Sequence, residues 1–143
     1  MSEPLYNTAI LRLAATPASP RLADPHASVM RVSPICGSRV TVDVALDDEG
    51  RVAAFGQEVR ACALGQAAAA LLDAHVVGRS ATELATARDD LSAFLKGTRD
   101  DAGDWPGLDI FAPARPHKAR HASILLAFDA AAAAVEDATK VPA

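Results

Sequence analysis

The stretch Val40-Thr41-Val42-Asp43-Val44-Ala45-Leu46 constrains this chain more than any other. Val40, Val42, Val44 and Leu46 fall on one face and alternate with Thr41, Asp43 and Ala45, the period of a strand buried on one side. Asp47-Asp48-Glu49-Gly50 follows as turn chemistry, and Arg51 to Val59 supplies a return strand. An antiparallel hairpin results. Downstream the period changes: Cys62, Leu64, Ala67, Ala68, Leu71, Leu72 and Val76 fit a helix with a broad apolar face, ended near Gly78. Ser80 to Glu83 matches a capping box that opens a helix to about Lys96, closed by Gly97. A last helix runs from about Lys118 to Asp137 and contains the alanine run Ala130 to Ala134.

Upstream, Tyr6, Ile10, Leu11 and Leu13 predict a short amphipathic helix from about Asn7 to Ala15, stopped by Pro17 and Pro20. Thr16 to Pro34 is proline-rich and reads as a loop. Strands followed by helices, without alternation, predict an α+β fold. The expected architecture is a small antiparallel sheet of about three strands, built on the hairpin and covered by helices. At 143 residues the chain is long enough for one core, so 1–143 is read as one domain with its core over about 5–137.

Composition narrows the function classes. A net charge of −4 and scattered basic residues leave no strip to neutralise a run of phosphates, which argues against nucleic acid. The most apolar region, Ala61 to Val77, is interrupted by Gln66, Asp73 and His75 and is short for a membrane span. The first residues lack the basic and apolar segments of a signal peptide. The expectation is a cytoplasmic protein, away from membranes, whose thiols stay reduced, so no structural Cys36–Cys62 disulfide is expected.

Cys36 precedes the first hairpin strand and Cys62 follows the second, so antiparallel pairing sends both to the same open end. Cys62 also stands where a helix begins, and free N–H groups with the helix dipole favour the thiolate, the form that binds metals and attacks sulfur. On their own, two cysteines also fit the role of small buried hydrophobes.

The residues around both cysteines carry a resemblance. Pro34-Ile35-Cys36-Gly37-Ser38-Arg39-Val40 resembles the Pro-x-Cys-Gly-Asp motif of the NifU N-terminal, IscU and SufU family of iron–sulfur scaffolds. Phe55-Gly56 through Cys62-Ala63-Leu64-Gly65-Gln66-Ala67-Ala68-Ala69 resembles its second cysteine motif. Leu5-Tyr6-Asn7 is similar to its opening, and Gly78-Arg79-Ser80 to its Gly-Lys-Ser/Thr turn. The resemblance implies a SufE/NifU-like fold and a non-enzymatic role in iron–sulfur cluster assembly. Its implied cargo is a transient iron–sulfur cluster or zinc, and its implied partners are a cysteine desulfurase and cluster-acceptor proteins.

Two departures from the family pattern stand out. Ser38 occupies the place of the pocket aspartate, and a neutral hydroxyl is a weak metal ligand. The third cysteine is missing from Ala119-Arg120-His121-Ala122-Ser123-Ile124-Leu125. Either His121 takes its place, or His121 matches a neighbouring histidine and Ala122 replaces the cysteine. The candidate ligands are therefore Cys36, Cys62 and His121, with Ser38 as a weak fourth; two thiolates and an imidazole suit zinc or a labile two-iron cluster.

A homodimer, with two cysteines from each copy, is a further option. The alternative function is a degenerate relative that binds a partner or regulates assembly. A cysteine hydrolase using His121 as base ranks last, for want of a nucleophile motif. Among the other side chains, His75 reads as an interface or partly exposed helix histidine, His26 as a solvated loop histidine that could swing toward the pocket, and His117, in a turn near His121, as a minor alternative ligand. Arg39, Arg60, Arg115 and Arg120 are candidates to surround the pocket, Asp43 reads as strand surface, and Trp105 as a cover for the core.

Overall fold

The computed structural model describes residues 7–33 and 37–140. Helix α1 (Thr8–Ala14) starts at Asn7, whose side-chain oxygen accepts from the Ile10 N–H, and it buries Ile10. Three strands follow, β1 (Ala27–Val32), β2 (Arg39–Leu46) and β3 (Val52–Arg60), in the order β1-β2-β3 with both pairings antiparallel. The β2–β3 turn is held by Asp47, whose carboxylate accepts from the N–H groups of Glu49 and Arg51, with Gly50 at φ +79°.

The hairpin and the α+β architecture match the sequence reading. Strand β1 does not: it lies inside the stretch read as loop. Only Val29 of its six residues is buried, because β1 is an edge strand paired on one side alone, so it lacks the alternation that marks β2.

Helices α2 (Ala63–His75), α3 (Ala81–Lys96) and α4 (His121–Thr139) complete the fold. The capping box forms as expected: the Ser80 hydroxyl accepts from Glu83 N–H and the Glu83 carboxylate from Ser80 N–H. Gly97 closes α3 at φ +83°. Lys118–Arg120 forms a 3-10 turn, so α4 begins three residues later than predicted. Helix α4 is the centre of the molecule, touching β1, β2, α2 and α3. Its alanine run, with Ala67, Ala68 and Ala69 of α2, lets helices and sheet approach closely around Val40, Val42, Val44, Leu72, Leu91 and Phe128. Trp105 covers part of this core and donates its indole N–H to Leu71 O at 2.9 Å.

Asp43 is the clearest correction to the sequence reading. It is fully buried on the sheet side opposite α4, where the chain segment around residue 21 folds over it. Its carboxylate accepts from the Arg21 guanidinium (2.6 and 3.1 Å), the Leu22 N–H (3.0 Å) and the Ser28 hydroxyl (2.6 Å). Burial pushes its carboxyl pKa up, but the hydrogen bonds from Arg21, Ser28 and Leu22 outweigh that and leave it below the ordinary aspartate value. Among the described residues, no helix is long and apolar enough to cross a membrane.

Candidate cysteine pocket

Cys36, with Pro34 and Ile35, lies outside the described residues. The residues on either side of it are fastened together. Ser33 N–H donates to Ser38 O at 2.8 Å, Gly37 N–H donates to Ser33 O at 2.9 Å, and Gly37 turns the chain at φ +70°. Strand β2 then begins at Arg39, directly opposite Arg60 at the end of β3. The hairpin register therefore delivers Ser38 and Cys62 to one end of the sheet.

Cys62 is the N-cap residue of α2, half-buried, with its carbonyl accepting from Gln66 N–H at 2.9 Å. Its Sγ stands 3.4 Å from the Ser123 Oγ, and that same hydroxyl is 3.0 Å from the Ser38 Oγ. Ser38 and Ser123 are both buried. The residue before β2, the N-cap of α2 and the first turn of α4 thus meet in one polar cluster. Gly65 makes the meeting possible. A Cβ there would lie 2.8 Å from Ala61 Cβ, 3.1 Å from Ser123 O and 3.2 Å from Ser123 Oγ, so only glycine lets α2 and α4 come this close at the pocket.

His121 is the first residue of α4, and its Nε2 faces two carbonyl oxygens, Ala114 at 2.9 Å and Arg115 at 3.1 Å. Carbonyls only accept, so Nε2 is a protonated donor and Nδ1 is the ring nitrogen turned away from them. Ala122 turns elsewhere, onto a groove of about 310 Å³ that it shares with Val32, Ser33, Ser92 and Leu125. The α4 side chain that touches Cys62 is Ser123. Sequence reading missed it; the signal available was its place directly after His121-Ala122, in the helix turn expected to supply the third ligand. Among the described residues, no group of three or more His, Cys, Asp or Glu side chains is arranged to hold a metal ion.

His26, His75 and Arg115 stand apart from this cluster. His26 Nδ1 accepts from Leu46 N–H at 2.9 Å, near the turn end of the hairpin. His75 packs edge-on against Trp105. Arg115 does not surround the pocket as expected: it donates to the carbonyls of Phe94 and Arg99 and stacks on the Phe94 ring. Arg39, Arg60, His117 and Arg120 are exposed.

Comparison with known proteins places this geometry. Over 96% of both chains, it is similar to the crystal structure of a nitrogen-fixing NifU-like protein (N-terminal) from Brucella abortus, at 39% identity and a TM-score of 0.90. A candidate iron–sulfur cluster assembly scaffold protein for the SUF system from the thermophile Fervidobacterium islandicum AW-1 shares the fold at 17% identity and a TM-score of 0.83, over 92% of this chain and 96% of that one. A third crystal structure, of a hypothetical protein, shares it at 20% identity and a TM-score of 0.78, over 90% of this chain and 94% of the other. No protein-family model and no curated protein matches the chain.

Proposed function

This chain belongs to the NifU-like (N-terminal) family of U-type proteins, and from that membership we propose that it takes part in iron–sulfur cluster assembly as a scaffold or a sulfur and metal carrier. The observation that carries the reading is the convergence on Ser123: one hydroxyl lies against Cys62 and against Ser38, two residues from Cys36. The two cysteine-bearing segments are thereby gathered at one end of the sheet.

In this reading the chain is one domain with no chemistry of its own to catalyse, and the cluster or metal is its cargo. Cys62 and Cys36 supply the two thiolates. His121 is suited to join them through Nδ1, because donation from Nε2 to backbone carbonyls fixes the tautomer that a metal-binding imidazole needs. Ser38 and Ser123 are neutral, so they contribute hydrogen bonds where a carboxylate would contribute charge, and they leave the cargo weakly held. Weak holding suits a carrier that must release what it binds. The partners in this reading are a cysteine desulfurase and the acceptors of the cluster, met in the cytoplasm.

A second reading is a relative that has kept the fold as a partner-binding protein of the assembly machinery. It is favoured by Ser38 at the aspartate position and by a chain total of two cysteines. Metal analysis of protein purified without chelator, followed by anaerobic cluster reconstitution, separates the two. The carrier reading expects zinc or iron near one per chain, lost in both Cys36→Ala and Cys62→Ala. It also expects Ser123→Cys, which sets a third thiol against Cys62, to hold metal more tightly. A metal-free wild type that fails reconstitution would establish the second reading in its place.

A further inference from the structure

Antiparallel pairing places Val32, Arg39 and Arg60 in one row across the sheet, and Met30, Thr41 and Glu58 in the next. Register partners project to the same face, so Met30, Arg39, Thr41, Glu58 and Arg60 share the side opposite α4, while Val32, at the end of the edge strand, reaches the groove beside Ala122 and Leu125. Half of that side is covered, where Arg21 and Leu22 close over Asp43 and Pro20 lies against Gly56. The half nearest Cys62 is open. Met30 is 53% exposed, and Arg39, Glu58 and Arg60 are exposed as well.

The charges on this open half are unbalanced. Arg39 directly faces Arg60 across the ladder, and like charges so opposed repel. Arg60 has Glu58 at 3.5 Å, whereas Arg39 forms no ion pair among the described residues. Lys118 and Arg120 also stand exposed and without an ion pair among the described residues, in the turn that leads into α4 and so to Ser123 and Cys62. Two arginines therefore stand side by side at the cysteine end of the sheet, and two more exposed cations precede α4, in a chain whose net charge is −4. The acidic turn Asp47-Asp48-Glu49 lies at the opposite end of the hairpin.

We infer that this face docks an acidic protein, whose carboxylates bridge Arg39 and Arg60 while an apolar side chain covers Met30. The paired arginines become favourable once a carboxylate lies between them, which removes the repulsion present in the free chain. Complementary charge also steers the partner to the cysteine end, and the acidic turn at the other end disfavours the reversed approach. The inference rests on the carrier reading for the reason a partner must reach Cys62; the docking itself needs no bound metal.

A dye-labelled synthetic peptide alternating aspartate and leucine serves as the probe, with asparagine and lysine versions as controls and binding read by fluorescence anisotropy on the full chain. The aspartate peptide binds, and its affinity falls at least about tenfold once ionic strength exceeds about 0.15 M, where charges are screened beyond roughly 8 Å. Arg39→Glu with Arg60→Glu weakens it at least about tenfold, and Lys118→Glu with Arg120→Glu, in an exposed turn remote from the sheet core, also weakens it. Lys140→Glu, at the other end of α4 from His121, leaves it unchanged. Cys62→Ala binds the peptide normally while losing metal, which separates this inference from the carrier reading. Equal binding of the asparagine or lysine peptide, full retention by either double variant, or displacement by inorganic phosphate at matched ionic strength would overturn it.

Discussion

Asp43 alternates in sequence with valines and reads as the polar side of a half-buried strand. Its alternation is real, but its surroundings are supplied from more than twenty residues upstream, by Arg21 and Leu22, and from the neighbouring strand by Ser28. A buried carboxylate with four donor contacts is stable; one whose donors are lost costs the desolvation of a charge. Asp43→Asn keeps the shape and gives up the charge-assisted bonds to Arg21. It is expected to destabilise the fold by about 1–3 kcal/mol in urea titrations while leaving metal content unchanged. Ser123 makes the same point at the pocket. Nothing in its local sequence marks it as the residue against Cys62, since that contact depends on where α4 crosses the end of the sheet.

At the scale of elements, α2 and α4 meet through small residues, and the pocket lies at the closest point. Gly65→Ala places a methyl group against Ser123 and Ala61. Because the nearest atoms include backbone, the helices must part. The expected cost is about 1–3 kcal/mol, with a change in the alkylation rate of Cys62. Ser80→Ala provides the contrast. It removes the capping hydroxyl of α3 and is expected to cost about 1 kcal/mol with no change at Cys62. Comparing the two variants by thermal melts and by Cys62 alkylation separates a general loss of stability from a displacement of the pocket.

Over the whole molecule, acid stability follows from the carboxylates whose pKa values folding lowers. Asp43 is lowered by the donors already described, against its burial. Glu83 is lowered first by its hydrogen bond from Arg51, with partial burial opposing and Ser80 N–H and Arg79 adding to it. Asp101 is lowered by Arg99 and the Gly103 N–H, but it is exposed and solvent screens its contribution. A carboxylate lowered by folding binds fewer protons in the native chain than in the unfolded one. Its stabilisation is therefore present above the unfolded value, about 4, and is lost as pH falls through the folded value. Urea midpoints measured across pH should hold steady above about pH 5 for these groups and fall below about pH 4. The decline should be shallower in Asp43→Asn, where the buried titrating group is gone.

Several parts of this protein were legible from local chemistry. Strand β2 announces itself through Val40, Val42 and Val44, the turn through Asp47 and Gly50, and α3 through Ser80, Glu83 and Gly97, because each signal is carried by residues within a few positions of one another. Hairpin topology alone also predicts that the segments carrying Cys36 and Cys62 reach the same end, and the observed positions of Ser38 and Cys62 agree. Strand β1 was hidden because an edge strand with one buried side chain has no pattern to show. The burial of Asp43, the turning of His121 Nε2 onto the Ala114 and Arg115 carbonyls, and the contact of Ser123 with Cys62 were decided by tertiary structure alone. Each joins segments that are distant in sequence or separated by a turn. Their partners are chosen by how helices and sheet pack, and one chain's local pattern carries no record of that choice.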